Sequence, residues 1–257
     1  MQSYKIIIAY DGTNFSGWQQ QQKDLTVQSC LTKSFEHAFK SNAKILAASR
    51  TDSGVHALGQ VARVITNINM EPETLKLIWN RSLPKSILIR SIQRADKEFY
   101  PLRNVDYKIY YYHLFLKQPL PFISRFGWYY KFINKVDFKK FEAALKLYLG
   151  EHDFASFCKL EKNDNKTTIR KIDKIFIKRI NKFNVIRIEI KGKSFLRFQI
   201  RRMIGYALDV ARRPELPLDY LQSLLKNPNP KQTLLKADGC GLCLRKVKYK
   251  NEDNIKK

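Results

Sequence analysis

Residues 49–57 read Ser-Arg-Thr-Asp-Ser-Gly-Val-His-Ala and follow directly on the apolar run 45–48. Gly54 stands two residues after Asp52, so the sequence predicts a strand that breaks into a tight turn here. A carboxylate on such a turn, two positions from Arg50, is placed to act on something outside the fold. The alternative is an Asx-turn, in which the Asp52 side chain only bonds the backbone amide two residues on.

The large positive net charge indicates which class of molecule the protein binds. The chain has 257 residues, enough for one large or two modest domains, and carries 48 Lys and Arg against 23 Asp and Glu. The resulting formal net charge of +25 favours a polyanionic partner, usually nucleic acid, with an anionic membrane surface as the rival. No run approaches the roughly 20 apolar residues of a spanning helix, and no apolar leader follows Met1. We therefore expect nucleic acid rather than a membrane.

The four cysteines indicate a reducing cellular compartment rather than a metal site. Cys30, Cys158, Cys240 and Cys243 have no regular spacing, which predicts a reducing cytoplasm. Cys240-Gly-Leu-Cys243 has the form of a zinc half-site, but no second C-x-x-C or paired histidine follows it. We expect these cysteines to line a strand near the end of the fold, and we expect no bound metal.

Hydrophobic periodicity predicts an α+β chain with two halves, each a mostly antiparallel sheet backed by helices. We place the halves at 1–104 and 105–250, followed by a loose basic tail at 251–257. The predicted strands are 5–10, 45–48, 59–65, 87–93, 107–116, 172–180, 185–190 and 242–249. The predicted helices are 27–39 behind a Thr26 cap, 71–82, 138–149, 195–210 and 218–225.

Candidate chemistry rests on a carboxylate, arginines and tyrosines, because phosphate-loop, dinucleotide, zinc-protease and nucleophile-elbow signatures are all absent. His56, close to Asp52, is either a general base or a side chain that shapes its loop. On the predicted helix 195–210, Arg197 and Arg201 stand one turn apart on one face, and a buried arginine there needs an anion. Arg202 fits a solvated basic face better. Asp52 is the natural partner for one of these guanidiniums.

A set of motifs in the first half, together with a shorter set in the second, resembles the TruA-type tRNA pseudouridine synthases along nearly the whole chain. The string Arg-Thr-Asp-x-Gly-Val-His-Ala at 50–57 is highly specific to that family. The other matching pieces are Tyr-Asp-Gly-Thr at 10–13, Phe-x-Gly-Trp-Gln at 15–19, Val-Gln at 27–28, Gln60, Gly-Glu-His-Asp-Phe-x-x-Phe at 150–157, Phe-Leu at 195–196 and Ile-Arg at 200–201.

The resemblance assigns roles to named residues. It implies that Asp52 is the nucleophile, that Arg50 displaces the target base and that Arg201 pairs with the catalytic carboxylate. It places the tyrosine that stacks on the flipped uracil at Tyr107, with Tyr110 as the alternative because position 109 is not tyrosine.

The remaining predicted site residues are expected at the substrate, which Tyr107 and Arg50 also contact. They are His56, Arg197 and Arg202.

The resemblance also implies the setting of the reaction. It predicts the pseudouridine synthase fold, with RRM-like halves flanking a basic cleft, and isomerisation of uridine in the anticodon stem-loop of tRNA at positions 38–40. It implies a homodimer and no cofactor.

The chemistry fits these residue types. Isomerising uridine breaks the bond from the base nitrogen to C1′, turns the base and rejoins it through carbon, which needs no redox or phosphate cofactor. One ionised carboxylate attacks either the sugar carbon or the base ring, and the sequence leaves that choice open. The base must leave its stack, so an arginine to fill the gap and an aromatic to receive the base are expected.

Two other functions stay open. One is a non-catalytic RNA-binding or chaperone protein with the same fold, against which Arg50, Asp52 and Arg201 argue. The other, weaker one is a zinc-dependent RNA-binding module that uses Cys240 and Cys243.

Overall fold

The computed structural model describes residues 1–160, 167–231 and 234–250. The chain forms two compact units, Met1–Lys108 with Cys243–Lys257, and Ile109–Leu242. The strands are β1 (Gln2–Tyr10), β2 (Ala43–Ala47), β3 (His56–Thr66), β4 (Ile87–Arg94), β5 (Val105–Phe115), β6 (Trp128–Tyr129), β7 (Gly150–Asp153), β8 (Ile169–Ile180), β9 (Val185–Gly192) and β10 (Leu242–Tyr249). The α-helices are α1 (Val27–Phe39), α2 (Pro72–Ser82), α3 (Phe138–Lys146), α4 (Gln199–Arg212) and α5 (Leu218–Lys226).

The first unit is built on the strand order β4-β1-β3-β10, with β2 beside β3. The β1/β3 and β1/β4 pairs are antiparallel and bring Ile6 opposite Ala62 and Ile92. Only β10 runs parallel to its neighbour β3, with Cys243 opposite His56. The antiparallel pairing of β1 with β3 extends to Tyr10 opposite Ala57, which is the last residue of the 49–57 stretch.

Helices α1 and α2 contribute to the core of this unit. Thr26 caps α1 as predicted, because its hydroxyl accepts the Ser29 amide while the Ser29 side chain accepts the Thr26 amide. Phe35 of α1 and Trp79 of α2 meet edge to face with ring centroids 4.9 Å apart. The buried indole of Trp79 donates to the Ser34 hydroxyl at 2.9 Å, so its one polar group is satisfied inside the core.

The C-terminal strand explains why the units differ in extent from the predicted halves 1–104 and 105–250. Tyr249 donates its hydroxyl to the Pro101 carbonyl at 2.8 Å and meets Phe99 edge to face. The Lys250 amide bonds the Asn104 carbonyl at 3.0 Å. These contacts join β10 to the first unit, and the unit boundary falls within β5 after Lys108. The predicted tail at 251–257 lies outside the described residues.

The second unit has the strand order β5-β9-β8-β7, with β6 beside β5. β8 and β9 are antiparallel, and Lys178 lies opposite Arg187. As predicted for 185–190, the isoleucines of β9 are buried and alternate with half-buried polar residues; the buried ones are Ile186, Ile188 and Ile190. An aromatic cluster forms the core beside α4, consisting of Tyr148, Phe154, Phe157 and Tyr206.

The α+β class with mostly antiparallel pairing is therefore confirmed. Two helix bounds differ from the prediction by more than two residues: α3 ends at Lys146 rather than 149, and α4 begins at Gln199 rather than 195. The short strands β6 and β7 were not predicted, because two and four residues are too few to show a period. No helix in the described ranges is long and apolar enough to cross a membrane.

Candidate active site

The residues 48–55, here called the Asp52 loop, connect the end of β2 to the start of β3. The predicted turn is present, because the Val55 amide donates to the Asp52 carbonyl at 3.2 Å and Gly54 has a φ of +74°. This main-chain bond closes the turn. Asp52 is half-buried and Arg50 is exposed. The loop thus presents a carboxylate and a guanidinium two residues apart.

Hydrogen bonds from Gln60, Tyr10 and Trp18 hold the Asp52 loop in place. The Gln60 carboxamide donates to the Ser49 carbonyl at 2.6 Å and accepts the Ser49 amide at 3.2 Å, and Gln60 is fully buried. The Tyr10 and Thr51 hydroxyls are hydrogen-bonded at 2.7 Å. The Trp18 amide donates to the Thr51 carbonyl at 3.0 Å. The main chain on both sides of Arg50 is therefore fixed before any ligand arrives.

Two glycines let another segment of backbone lie directly against this loop. A Cβ on Gly12 would stand 2.0 Å from the Val55 carbonyl oxygen. One on Gly17, whose φ is +92°, would stand 2.7 Å from the Thr51 carbonyl oxygen. No side chain fits at either position without moving the loop.

His56 is buried at the first residue of β3. Its Nδ1 accepts the Gly12 amide at 3.0 Å and lies 3.2 Å from an Asp11 carboxylate oxygen. The same carboxylate oxygen accepts the Thr13 amide and hydroxyl. His56 thus holds the 11–13 turn beside the loop. This arrangement matches the loop-shaping role rather than the general-base role predicted from the sequence. A direct contact between His56 and substrate stays a prediction.

Sequence reasoning missed Lys108, which ties β5 to the start of the loop. Its ammonium donates to the Ala48 carbonyl at 2.7 Å, and only 8% of the residue is exposed. Burial lowers the pKa of Lys108 to about 8. The available signal was strand alternation, which places this lysine on the same face of β5 as the buried Tyr110 and Tyr112.

The two candidate stacking tyrosines lie on opposite faces of β5. Tyr107 is half-buried. Tyr110 is 5% exposed and meets Phe195 edge to face, with ring centroids 5.2 Å apart. A base needs an accessible ring face to stack on, so the geometry favours Tyr107 over Tyr110.

Arg201 lies in the first turn of α4 and is 9% exposed. Its Nε donates to the Ala237 carbonyl at 2.8 Å, and its own carbonyl accepts the Ala237 amide at 3.0 Å. Its guanidinium carbon stands 5.3 Å from the centroid of the Phe198 ring. The Arg201 side chain is thus held by the Ala237 carbonyl and the Phe198 ring, so its guanidinium is oriented, as expected for a residue that binds an anion.

The prediction that Arg197 and Arg201 share one face of a helix is wrong. Phe198 has a φ of +65°, outside helical geometry, so α4 begins only at Gln199 and Arg197 precedes it. The exposed Arg197 nevertheless stacks on the same ring, 5.1 Å from the Phe198 centroid. Arg202 is also not on a freely solvated face, since its Nη1 donates to the Cys158 carbonyl.

Within residues 1–160, 167–231 and 234–250 no group of three or more His, Cys, Asp or Glu is arranged to hold a metal ion. Cys240 donates its thiol to the Gly127 carbonyl at 3.3 Å, and burial together with Asp238 raises its pKa to about 12. Cys243 lies in β10 as predicted, whereas Cys240 precedes that strand.

The predicted residues thus fall into two groups. In the first unit, the 48–60 region and β5 carry Arg50, Asp52, His56 and Tyr107. In the second unit, Arg201 and Arg202 lie at the start of α4, and Arg197 lies just before it.

Comparison with known proteins identifies the family. A family model described as tRNA pseudouridine synthase matches residues 6–107 and 144–250. Curated proteins named tRNA pseudouridine synthase A from Thermodesulfovibrio yellowstonii (33% identical) and Pseudothermotoga lettingae (32% identical) each match 97% of this chain and 100% of their own length. Among solved structures, a Cbf5-Nop10-Gar1 complex aligns with 79% of this chain and 53% of its own at 10% identity and a TM-score of 0.33, too low to bear on the fold. On the family match and these full-length relatives, the chain belongs to the tRNA pseudouridine synthase family.

Proposed function

We propose that this protein converts uridine to pseudouridine in the anticodon stem-loop of tRNA, at positions 38–40, with Asp52 as the nucleophile. The observation that carries the proposal is the Asp52 loop itself. Its main chain is bonded by Gln60 and by the Trp18 amide, and its Thr51 hydroxyl by Tyr10, while Asp52 is half-buried on the turn. A nucleophile fixed in this way loses little conformational entropy when substrate binds.

The reaction is an isomerisation, so its atoms balance within the substrate. The N1–C1′ bond breaks, the base turns, a C5–C1′ bond forms and the proton on C5 is exchanged for one on N1. The Asp52 carboxylate attacks C1′ or the base ring and leaves again when the new bond has formed. No electron donor or acceptor enters.

The other predicted residues handle the extruded nucleotide. Arg50, exposed on the loop, fills the place that the base leaves in its stack, and Tyr107 receives the flipped uracil. Arg201 supplies the guanidinium that pairs with the Asp52 carboxylate. His56 shapes the substrate-facing loop.

The charge of the chain supports an RNA substrate. Residues 159–202 contain 15 Lys and Arg against 4 Asp and Glu. We propose that this segment, with Arg197 and Arg202 at its end, contributes phosphate contacts along a basic cleft flanked by RRM-like halves. Part of the segment, 161–166, lies outside the described residues.

We propose further that the protein works as a cytoplasmic homodimer. One subunit of 257 residues spans only part of a tRNA, so a second copy extends the surface that can recognise its shape. The four cysteines are free, which suits a reducing compartment.

Carbodiimide mapping of pseudouridine in unmodified tRNA tests the proposal. After incubation with the purified protein we expect new adducts at positions 38–40, and none in the mock reaction. New adducts elsewhere in the tRNA would contradict the proposed positions. Binding without any new adduct would favour the non-catalytic RNA-binding alternative.

A further inference from the structure

The sheet of the second unit has one face whose side chains combine aromatic rings with cations. Successive residues of a strand point to opposite faces, and residues paired across strands point to the same one. On β9 the isoleucines are buried, so Arg187 and its alternate neighbours mark the other face. We call this second face the outer face. It is defined by Tyr111 and His113 of β5, Arg187, Glu189 and Lys191 of β9, and Lys174, Phe176 and Lys178 of β8.

Arg187 is oriented by two partners on β5. Its Nε donates to the His113 Nε2 at 2.9 Å, and its guanidinium carbon stands 4.6 Å from the centroid of the Tyr111 ring. Within the part of the chain that the structure describes, Arg187 makes no other hydrogen bond or ion pair. Its Nη1 and Nη2 groups are therefore available as a planar pair of donors, which is the geometry that binds a phosphate through two hydrogen bonds.

Phe176 provides a ring on the same face, two residues along β8 from Lys178, the residue paired with Arg187. It is 50% exposed, although it sits in the middle of a strand. The Lys174 ammonium stands 5.1 Å from its centroid and 3.6 Å from the carboxylate of Glu189, the residue paired with Phe176 on β9. An exposed ring on a sheet, flanked by cations, is a stacking platform for an unpaired base.

The charge of the outer face agrees with a polyanion. Lys174, Lys178, Arg187 and Lys191 are its cations, and Glu189 is the one acidic residue among these β8 and β9 positions. Lysine is depleted at the centre of protein–protein interfaces, so this composition suits RNA better than a protein partner.

We propose that the outer face binds a single-stranded segment of the tRNA, with an unpaired base stacked on Phe176 and a neighbouring phosphate held by Arg187. This inference rests on the proposed function for its substrate but concerns residues outside the nucleophile's loop. It predicts binding energy rather than chemistry, so its variants change affinity and leave the rate of the bound complex alone.

Binding of unmodified tRNA to Arg187→Ala and Phe176→Ala, measured by fluorescence anisotropy over a series of salt concentrations, tests the proposal. Two matched controls remove the same side-chain types elsewhere: Arg81→Ala, exposed in the last turn of α2, and Phe122→Ala, a 71% exposed phenylalanine of the second unit. We expect each outer-face variant to weaken binding about tenfold, in the range measured for one stacked base or one phosphate contact. The controls should change it less than twofold.

The salt series separates the two roles. Loss of one phosphate contact from single-stranded nucleic acid should reduce the slope of log affinity against log salt by about 0.7 in Arg187→Ala. Phe176→Ala should keep the wild-type slope, because stacking releases no counterion, and Phe176→Tyr should restore the affinity. Single-turnover conversion at saturating enzyme should stay at the wild-type rate in all of them.

Affinities of both outer-face variants equal to those of their controls would overturn the inference, even if the wild-type protein converts uridine normally. Conversely, a wild-type protein that binds tRNA but forms no pseudouridine would contradict the proposed function, while the comparison of affinities would still decide the role of the outer face. Thermal unfolding checks that each variant folds. If Arg187→Ala does not, the half-exposed Phe176 still allows the test.

Discussion

The Asp52 loop and the start of α4 hold their functional side chains by different means. In the loop, buried polar groups bond directly to the main chain, as Gln60 does at Ser49 and Trp18 at Thr51. At the start of α4, the side chains themselves are gathered around one ring: Arg197, Arg201 and Lys236 all stand within 5.3 Å of the Phe198 centroid. The hydrogen bonds of the Asp52 loop fix its backbone, whereas the contacts at the start of α4 bring three positive charges together.

This difference has consequences for how each region responds to mutation. Buried hydrogen bonds to main chain are expensive to break, because the orphaned amide and carbonyl stay buried. Contacts between cations and an accessible ring are individually modest. We therefore expect the loop to be sensitive to changes in its supports, and the start of α4 to be sensitive mainly to the loss of its charge.

Among variants that leave Asp52 itself unchanged, the largest effect is expected from Arg201→Ala. If this guanidinium pairs with the catalytic carboxylate, its loss should lower kcat by about 10³-fold, as removal of a single preorganised electrostatic partner does. Single-turnover kinetics at saturating enzyme measure this change, and Arg201→Lys should recover part of the rate. A kcat within tenfold of the wild-type value would show that Arg201 only supports the Ala237 segment.

Gln60→Ala should lower kcat by about 100-fold, because the loop is then free to move by about 1 Å at Ser49. The matched control is Asn80→Ala, since Asn80 also makes a pair of hydrogen bonds from its carboxamide to main chain, at Ile89. Both variants should lose about 2 kcal/mol of unfolding free energy. Only Gln60→Ala should lose activity. Equal kcat values for the two variants would show that the support of the loop by Gln60 does not affect catalysis.

Lys108 should make the stability of the first unit depend on pH. Its pKa is about 8 in the folded protein against an ordinary value of 10.5, so between these values the unfolded chain binds more protons than the folded one. The free energy of unfolding of the wild-type protein should therefore rise, relative to Lys108→Met, by about 2 kcal/mol from pH 8 to pH 10.5. Below about pH 7, where Lys108 is protonated in both states, the difference between the two proteins should be constant.

Denaturant titrations of both proteins at pH 7.5, 9 and 10.5 measure this difference while the other lysines cancel. A difference that stays the same over the whole range would mean that Lys108 has an ordinary pKa in the folded state.

Phe198→Leu should have the smallest effect. Leucine keeps an apolar side chain but removes the ring on which three cations rest, and each such contact at an accessible site is worth only about 0.5–1 kcal/mol. We expect a decrease in kcat/KM of about threefold to tenfold, mostly through KM. A decrease approaching that of Arg201→Ala would instead make the ring a direct participant in the site.

Features that depend on local backbone geometry could be predicted from the sequence. The turn at Asp52 was predictable because Gly54 follows two residues later and takes a positive φ there. The close approach of Gly12 and Gly17 to this loop is visible only in the folded chain. The capped start of α1 and the alternation of β9 followed from equally local rules.

Other features depend on the folded chain and could not be predicted. The left-handed conformation of Phe198 moved the start of α4 by four residues, and nothing in its side chain signals this. The bond from Lys108 to Ala48 joins residues 60 apart in the sequence. The membership of β10 in the first unit likewise rests on contacts with β3 and with residues 99–104 that are distant in sequence.

The central claim is that the Asp52 carboxylate forms and breaks the bond to the substrate. It is tested most directly by single-turnover pseudouridine formation with Asp52→Asn, which keeps the size and polarity of the side chain but removes its charge. The account predicts no product above the uncatalysed background, with tRNA affinity within about twofold of the wild-type value. Product formation at a rate near that of the wild-type protein would contradict it.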